Sequence, residues 1–458
     1  MRTCIGSPPA IVCAPWREPA AALAAFADEP FALCLLSDGA GEHGRWSYLA
    51  RRPAATLSID PDDPRDAFSA LRSLLGPTRP VRPDGPPFQG GVAGVASYEL
   101  GDRIERLGLD RKPGWPDLAC GRYEQLLAFD HRQRRVLAVG PDEAAAREAL
   151  GWLDEAPAAP PRGPLAAEVV APDGGRHEAA VAEIVARIAA GEIFQANLAQ
   201  AWRGRLAQGC APCHLLQRLA EASAAPFAAY LRLPDAAVVS NSPERFLQVR
   251  REAGALIAQT RPIKGTVPRG ATPAEDERLV AALAGSAKDR AENLMIVDLM
   301  RNDLARVSRP GTVRVPALFA VERFANVSHL VSTVTGALAA GRTALDAFAA
   351  AFPPGSITGA PKVQAMKVIA ALEAPRGPFF GSMFWAGFDG PFDSSVLIRT
   401  VAFQASGGGW RFEARAGGGV VADSNPAAER RETEAKIAAI LRALTDREPA
   451  APETEPCP

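Results

Sequence analysis

Apolar residues in the first third of the chain come in short runs broken by turn formers: FALCLLSDG (31–39), RWSYLARRP (45–53), GVAGVASYEL (91–100) and QLLAFDHRQRRVLAVG (125–140). Runs of this length bounded by Gly, Pro, Asp and Ser predict strands, and the last predicts a hairpin turning near Arg132 to Arg134. Residues 1–155 therefore read as a mostly antiparallel β region. Residues 156–174 turn Ala/Pro-rich (APAAPPRGP and onward) and predict a linker.

Beyond the linker the hydrophobic period lengthens. Val181, Ile184, Val185 and Ile188 recur at helical spacing ahead of Gly191, predicting a helix over 177–190, and strand-like FQANLAQAWRGRL follows. Helices are predicted over 274–284, 288–305, 344–352, 361–373 and 426–445. Strands are predicted near 227–233, 236–240, 245–250, 256–266, 330–336, 396–404 and 410–416. Long antiparallel strands interrupted by single helices give an α+β chain, with one large region over 175–445. The Pro/Glu-rich residues 446–458 predict a disordered tail.

Composition narrows the classes. The 458 residues are 47% hydrophobic and 22% charged, enough to bury a large core. With 51 Lys+Arg against 52 Asp+Glu and no basic run, the chain is not patterned for nucleic acid. Seven cysteines at 4, 13, 34, 120, 210, 213 and 457 are odd in number and without a framework, which suits a reducing, cytoplasmic setting. The N-terminus lacks the charged start and apolar core of an export signal, and no apolar run reaches the roughly 20 residues that cross a membrane. Cys210-Ala-Pro-Cys213-His214 matches C-x-x-C-H, the attachment pattern of a c-type haem electron carrier; without an export route, a loop insertion is the simpler reading.

Two helical segments carry paired carboxylates. Asp289 and Glu292 share one face of 288–305, and Glu429 and Glu432 share one face of 426–445, with Lys436 a turn further on. Such spacing is common on solvated helices that make weak exposed pairs. Facing each other across a cleft, however, the carboxylates would suit a hard cation, Mg²⁺, which takes oxygen ligands and keeps waters for a substrate carboxylate. No Cys/His cluster of zinc spacing competes. RAGGGVVADSNP (415–426) precedes the second helix; its glycine amides could approach an anion, or the run could be a bulge or tight turn. GSITGAPK (355–362) is a similar helix-entry segment, with hydroxyls at Ser356 and Thr358.

In one order, SPERFL (242–247), QTRPIKGT (259–266), DRAENLMIVDLMRND (289–303), VSHLVSTVTG (327–336), GSITGAPKVQAM (355–366), SSVLIRT (394–400) and GGGVVADSNPAAERRETEAK (417–436) resemble the chorismate-utilising enzyme family. That family includes anthranilate, aminodeoxychorismate, isochorismate and salicylate synthases. LLSDGAGEHGRWSY (35–48) and GVAGVASYELG (91–101) resemble the N-terminal region of its amine-forming members. The resemblance implies two large antiparallel β-sheets packed face to face with helices outside, and a chorismate cleft near one end. It implies Glu292 and Glu432 as magnesium ligands, with Asp289 and Glu429 supporting them. Gly417, Gly419 and Lys436 would hold the ring carboxylate and Arg399 the enolpyruvyl carboxylate, with Ser356 also contacting substrate and His329 beside the reacting carbons.

Within the family, anthranilate synthases look like PIAGT where this chain has PIKGT, and many aminodeoxychorismate synthases carry the lysine. The resemblance then implies Lys264 as a covalent nucleophile and Glu244 as general acid and later base, with anthranilate synthesis as the alternative activity. No cysteine lies in a Gly-x-Cys-x-Gly elbow, so ammonia would come from a separate glutamine amidotransferase subunit. Trp385, in GSMFWAGF (381–388), is expected where the family often has a tyrosine at a substrate carboxylate. Amine-forming relatives can bind tryptophan near the strand containing Ser37 and near PFA (226–228), so the resemblance makes Ser37, Pro226, Phe227 and Ala228 a candidate tryptophan site.

Overall fold

The computed structural model of the chain describes residues 6–39, 44–155, 161–223, 225–323 and 327–446. Residues 156–160 of the expected linker and 447–458 of the expected tail lie outside them. The described residues form two antiparallel sheets, one of twelve strands and one of ten. The larger runs Ala10–Pro15, Arg135–Gly140, Leu126–Asp130, Trp46–Ala50, Leu33–Leu36, Phe227–Arg232, Ala236–Ser242, Thr400–Ser406, Gly409–Val420, Gln195–Leu206 and Gly359–Ala360. The smaller runs Ile263–Pro268, Val327–Ala337, Ala255–Thr260, Arg245–Glu252, Phe392–Val396, Ser382–Gly387, Gly91–Ala96, Leu118–Tyr123 and Ala55–Ile59, with Arg314–Arg323 also on Val327–Ala337. Each sheet draws strands from both sides of the proline-rich stretch.

The continuous apolar runs of the first third follow from burial on both faces of the larger sheet. Leu126 and Ala128 belong to the core between the sheets, whereas Leu127 and Phe129 face an outer core roofed by helices such as Pro212–Ser223 and Pro426–Thr445. The expected α+β architecture of two stacked sheets with helices outside is what the chain adopts.

Local differences have physical reasons. Inside the expected linker, Ala166–Val170 forms an edge strand on Gln195–Leu206, where its unpaired amides find partners despite the flanking prolines. The strand expected over 256–266 is broken at Arg261 and Pro262, since proline cannot donate to a ladder. The Cys210–His214 segment is not a loop insertion: Pro212–Ser223 is a helix, with Cys213 buried in the outer core and His214 Nδ1 accepting from the Ala211 amide at 3.0 Å. The described cysteines are all free. Among the described residues no helix is long and apolar enough to cross a membrane.

Candidate active site

The PIKGT segment owes its shape to one glycine. Ile263–Pro268 pairs with Val327–Ala337, and the register slips between Lys264 and Thr266. Gly265 occupies the slip at φ +72°, and a Cβ there would fall 2.7 Å from Leu283 Cδ1 and 2.9 Å from Asp289 Cγ. Only glycine meets both the left-handed backbone and the lack of space. The bulge leaves Lys264 on the wall of a cleft of about 680 Å³, with Nζ 3.0 Å from Glu292 Oε2. On the neighbouring strand His329 Nδ1 meets Thr266 Oγ1 at 2.9 Å. Burial pushes His329 down to about 4, the charge of Arg399 adds to this and a hydrogen bond with the Gly265 backbone opposes it, so the imidazole is neutral at pH 7.

The two acidic helices begin at this cleft with ordinary caps. Ser286 caps Ala287–Ala305 by accepting from the Asp289 amide, and Asn425 caps Pro426–Thr445 by accepting from the Ala428 amide. Glu432 Oε1 lies 2.6 Å from Lys436 Nζ, which also donates to the Gly417 carbonyl at 2.9 Å. Burial raises the Glu429 pKa and the like charge of Glu432 adds to it, against a 2.7 Å hydrogen bond from Ser424. Among the described residues no three His, Cys, Asp or Glu side chains converge as a metal cluster. The donors are nevertheless all oxygens, and one carboxylate from each helix suits a magnesium ion completed by water and substrate oxygens.

The glycine run is neither a turn nor a bulge. Gly417, Gly418 and Gly419 continue the strand Gly409–Val420 in register with Ala199, Leu198 and Asn197. Their missing side chains make room: a Cβ on Gly418 would lie 2.9 Å from Glu429 Oε2, and one on Gly419 would lie 3.1 Å from Lys264 Nζ. The extended amides thus come close to the functional groups that a side chain would screen.

Glu244 sits where Ala236–Ser242 hands over to Arg245–Glu252. The Ser242 hydroxyl accepts from its amide, and its carbonyl accepts from Val396 N. Burial pushes its carboxyl up to about 7, against a hydrogen bond with Ser356 and the charges of Lys264 and Lys436. Neighbouring Arg245 makes a two-pronged pair with Asp393, at 2.9 Å on both prongs. Arg399, held at φ +49° between strands, is exposed at the cleft and has no carboxylate partner among the described residues.

The cleft thus gathers Lys264, Glu244, Asp289, Glu292, His329, Ser356, Arg399, Gly417, Gly419, Glu429, Glu432 and Lys436. Two polar residues of the same region were not singled out in the sequence. Gln195 is fully buried, and neither amide atom of its side chain has a hydrogen-bond partner; its Nε2 lies 2.9 Å from where a Gly419 Cβ would be. Asn197 lines the cleft with an unpartnered Oδ1. Their signal was Q-x-N at period two at the start of the strand Gln195–Leu206, beside the apolar Ala196 and Leu198.

Trp385 is not at this cleft. It lines a second one, of about 470 Å³, stacked on Phe88 at 5.0 Å, because its strand turns alternate side chains between the sheets. The aromatic ring at the first cleft is Phe380, just before that strand at φ +63°, which also lacks a hydroxyl. Ser37, Pro226, Phe227 and Ala228 meet in the second cleft, where Ser37 Oγ donates to the Pro226 carbonyl at 3.2 Å.

Stacked sheets, a polar cleft at the glycine-run strand and paired acidic helices define a chorismate-type site, and the chain belongs to the chorismate binding enzyme family, which matches residues 32–442. Among curated relatives, aminodeoxychorismate synthase component 1 of Klebsiella aerogenes is 41% identical, over 95% of this chain and 99% of that protein. Anthranilate synthase component 1 of Streptomyces coelicolor is also 41% identical, over 90% of this chain and 83% of that protein. The crystal structure of anthranilate synthase component I from Streptococcus pneumoniae superposes with a TM-score of 0.75 at 26% identity, covering 87% of this chain and 92% of that one.

Proposed function

We propose that this chain converts chorismate and ammonia to 4-amino-4-deoxychorismate, as the chorismate-using component of an aminodeoxychorismate synthase. The observation that carries the reading is the Lys264 amine on the cleft wall, within electrostatic reach of a Glu244 carboxyl raised to about 7. Identity alone does not separate the two amine-forming activities, since relatives of both kinds reach 41%.

In this reading Arg399 takes the enolpyruvyl carboxylate as a two-pronged partner, and the Gly417 and Gly419 amides with Lys436 take the ring carboxylate. A magnesium ion, when bound by Glu292 and Glu432, supplies positive charge to the ring carboxylate. Glu244 gives its proton to the 4-hydroxyl, which leaves as water while the Lys264 nitrogen, having lost its proton to solvent to become a neutral amine, forms a bond to the ring and the ring double bond shifts. Ammonia then bonds to the carbon that lost the hydroxyl, the double bond shifts back, and the lysine nitrogen departs. Glu244, now ionised, accepts the proton that ammonia releases. Neutral His329 contributes a polar contact near the ring without competing for protons.

Wild-type chain quenched with chorismate and no ammonia should carry a ring adduct on the peptide 259–266 by mass spectrometry. Product analysis with ammonium salts should give aminodeoxychorismate; anthranilate as the product would overturn the assignment. We also propose that ammonia reaches the chain from a separate glutamine amidotransferase subunit, so the pure chain should use ammonium but not glutamine. Glutamine hydrolysis by the pure chain would refute that. The second cleft, on the same reading, takes tryptophan.

A further inference from the structure

Arg376 is the bulkiest completely buried side chain among the described residues, at 1% exposure. Its guanidinium lies between the rings of Tyr98 and Phe380, 4.5 Å from each centroid. Two prongs hold Glu373, at 3.0 and 2.9 Å. The remaining donors reach two backbone carbonyls, Ile357 at 2.9 Å and Asn197 at 2.7 Å. Glu373 in turn accepts from the Ala199 amide at 2.6 Å.

A buried Arg–Glu pair alone is weak evidence for any role, because desolvation cancels much of its attraction. What sets this pair apart is where the other donors go. Ile357 follows Ser356, the hydroxyl that meets Glu244, and Asn197 and Phe380 themselves line the cleft. Three separate pieces of cleft wall, distant in sequence, are tied to one planar fork.

We propose that Arg376 is a positioning residue for the cleft, fixing the Ser356 turn against the Asn197 strand so that the Ser356 hydroxyl is held on Glu244. The proposal rests on the reading of this cleft as the place where chorismate reacts. A lysine there could neutralise Glu373 but, as a point donor, could not also bridge both carbonyls. Misplacing a catalytic group by about 1 Å costs on the order of 10²-fold in rate.

The test compares Arg376→Lys, Ser356→Ala and the double variant, each as a ratio to the turnover of wild type, whatever amine that turnover yields. A wrong product assignment therefore leaves the ratios readable. Arg376→Lys should stay folded by circular dichroism, bind chorismate within about threefold of wild type, and lose kcat by roughly 10- to 100-fold. Ser356→Ala should cost much less in the Arg376→Lys background than in wild type, because its partner is already displaced. Arg376→Ala adds a second readout: a neighbouring cavity of about 280 Å³, lined by Tyr98, Glu99 and Arg376, gives free guanidinium a route, so in an assay already saturated with ammonium low concentrations of guanidinium should restore kcat to this variant and leave wild type unchanged. If Arg376→Ala does not fold, the lysine variant decides. Arg376→Lys with near-normal kcat, or strict additivity with Ser356→Ala, would overturn the proposal.

Discussion

The two large clefts treat charge differently although both open onto the same pair of sheets. In the second, Arg45 grips Asp130 at 3.1 and 2.8 Å and Arg245 grips Asp393 with both prongs, which leaves Asp389, pushed up to about 6 by burial and with Oδ1 unpartnered, as the main unmatched group. In the first, Lys264 and Lys436 each meet one carboxylate oxygen, Arg399 has no carboxylate among the described residues, burial raises the Glu244 carboxyl to about 7, and Asn197 Oδ1 is unsatisfied, as is the amide of buried Gln195 in the adjoining wall. Unmatched polar capacity at a buried site is costly unless a ligand uses it. On the proposed reading the first cleft, which holds more of this open capacity, serves reaction, and the second serves recognition by shape and aromatic surface.

The sharpest way to break this contrast is to change the proposed nucleophile and keep its charge. Lys264→Arg retains a cation beside Glu292 but removes the amine lone pair, so amination should fall by about 10⁴-fold or more while chorismate still binds. A near-normal rate would return direct attack by ammonia as the chemistry.

Glu244 comes next, with roughly 10²- to 10⁴-fold loss for Glu244→Gln. Its carboxyl donates only when protonated, so wild-type adduct formation should decline as pH rises through about 7, and the Gln variant should lack that limb. Stability offers an independent check. A carboxyl raised above its usual 4.5 binds its proton more tightly in the folded chain, so wild type loses stability relative to Glu244→Gln as pH rises from about 4.5 to about 7. A pH-independent difference in melting temperature would show that Glu244 is not buried as a neutral acid. For the acidic helices, Glu292→Gln and Glu432→Gln should each lower magnesium-dependent turnover by about 10²-fold in folded protein. Unchanged magnesium titrations would remove the metal from the first cleft.

The contrast also explains what was legible in the sequence. Elements with a strong period, such as Gly174–Ala189 with Val181, Ile184, Val185 and Ile188 on one face, were readable because one pattern repeats over many residues, and the hairpin of Leu126–Asp130 with Arg135–Gly140 was readable as two apolar runs around a turn. Lys264 was readable only through the resemblance of PIKGT to a family motif, whereas the glycine-bearing bulge that places it on the cleft wall emerges from the sheet register. Gln195 and Arg376 were not readable: their meaning depends on Gly419, Ile357 and Asn197, far away along the chain, and no local pattern encodes such meetings. Trp385 and Phe380 were confused because five residues separate them along a segment whose facing direction only the sheet register decides. The strand Ala166–Val170 was hidden by prolines that an edge position tolerates.

The smallest expected effect concerns the second cleft and tests the contrast from its other side. If tryptophan binds the folded chain there, free tryptophan at about 100 times its Kd should stabilise the protein by ~2.7 kcal/mol, read as a rise in melting temperature. Trp385→Phe keeps a ring against Phe88 but shortens the wall, at a stability cost on the order of 1–3 kcal/mol. Because Trp385 does not line the first cleft, turnover at a temperature well below melting should stay within about twofold of wild type, while the tryptophan-induced shift shrinks. Loss of turnover with an intact tryptophan shift would mean that the two clefts are coupled through the strand Ser382–Gly387, and that charge matching does not separate their roles.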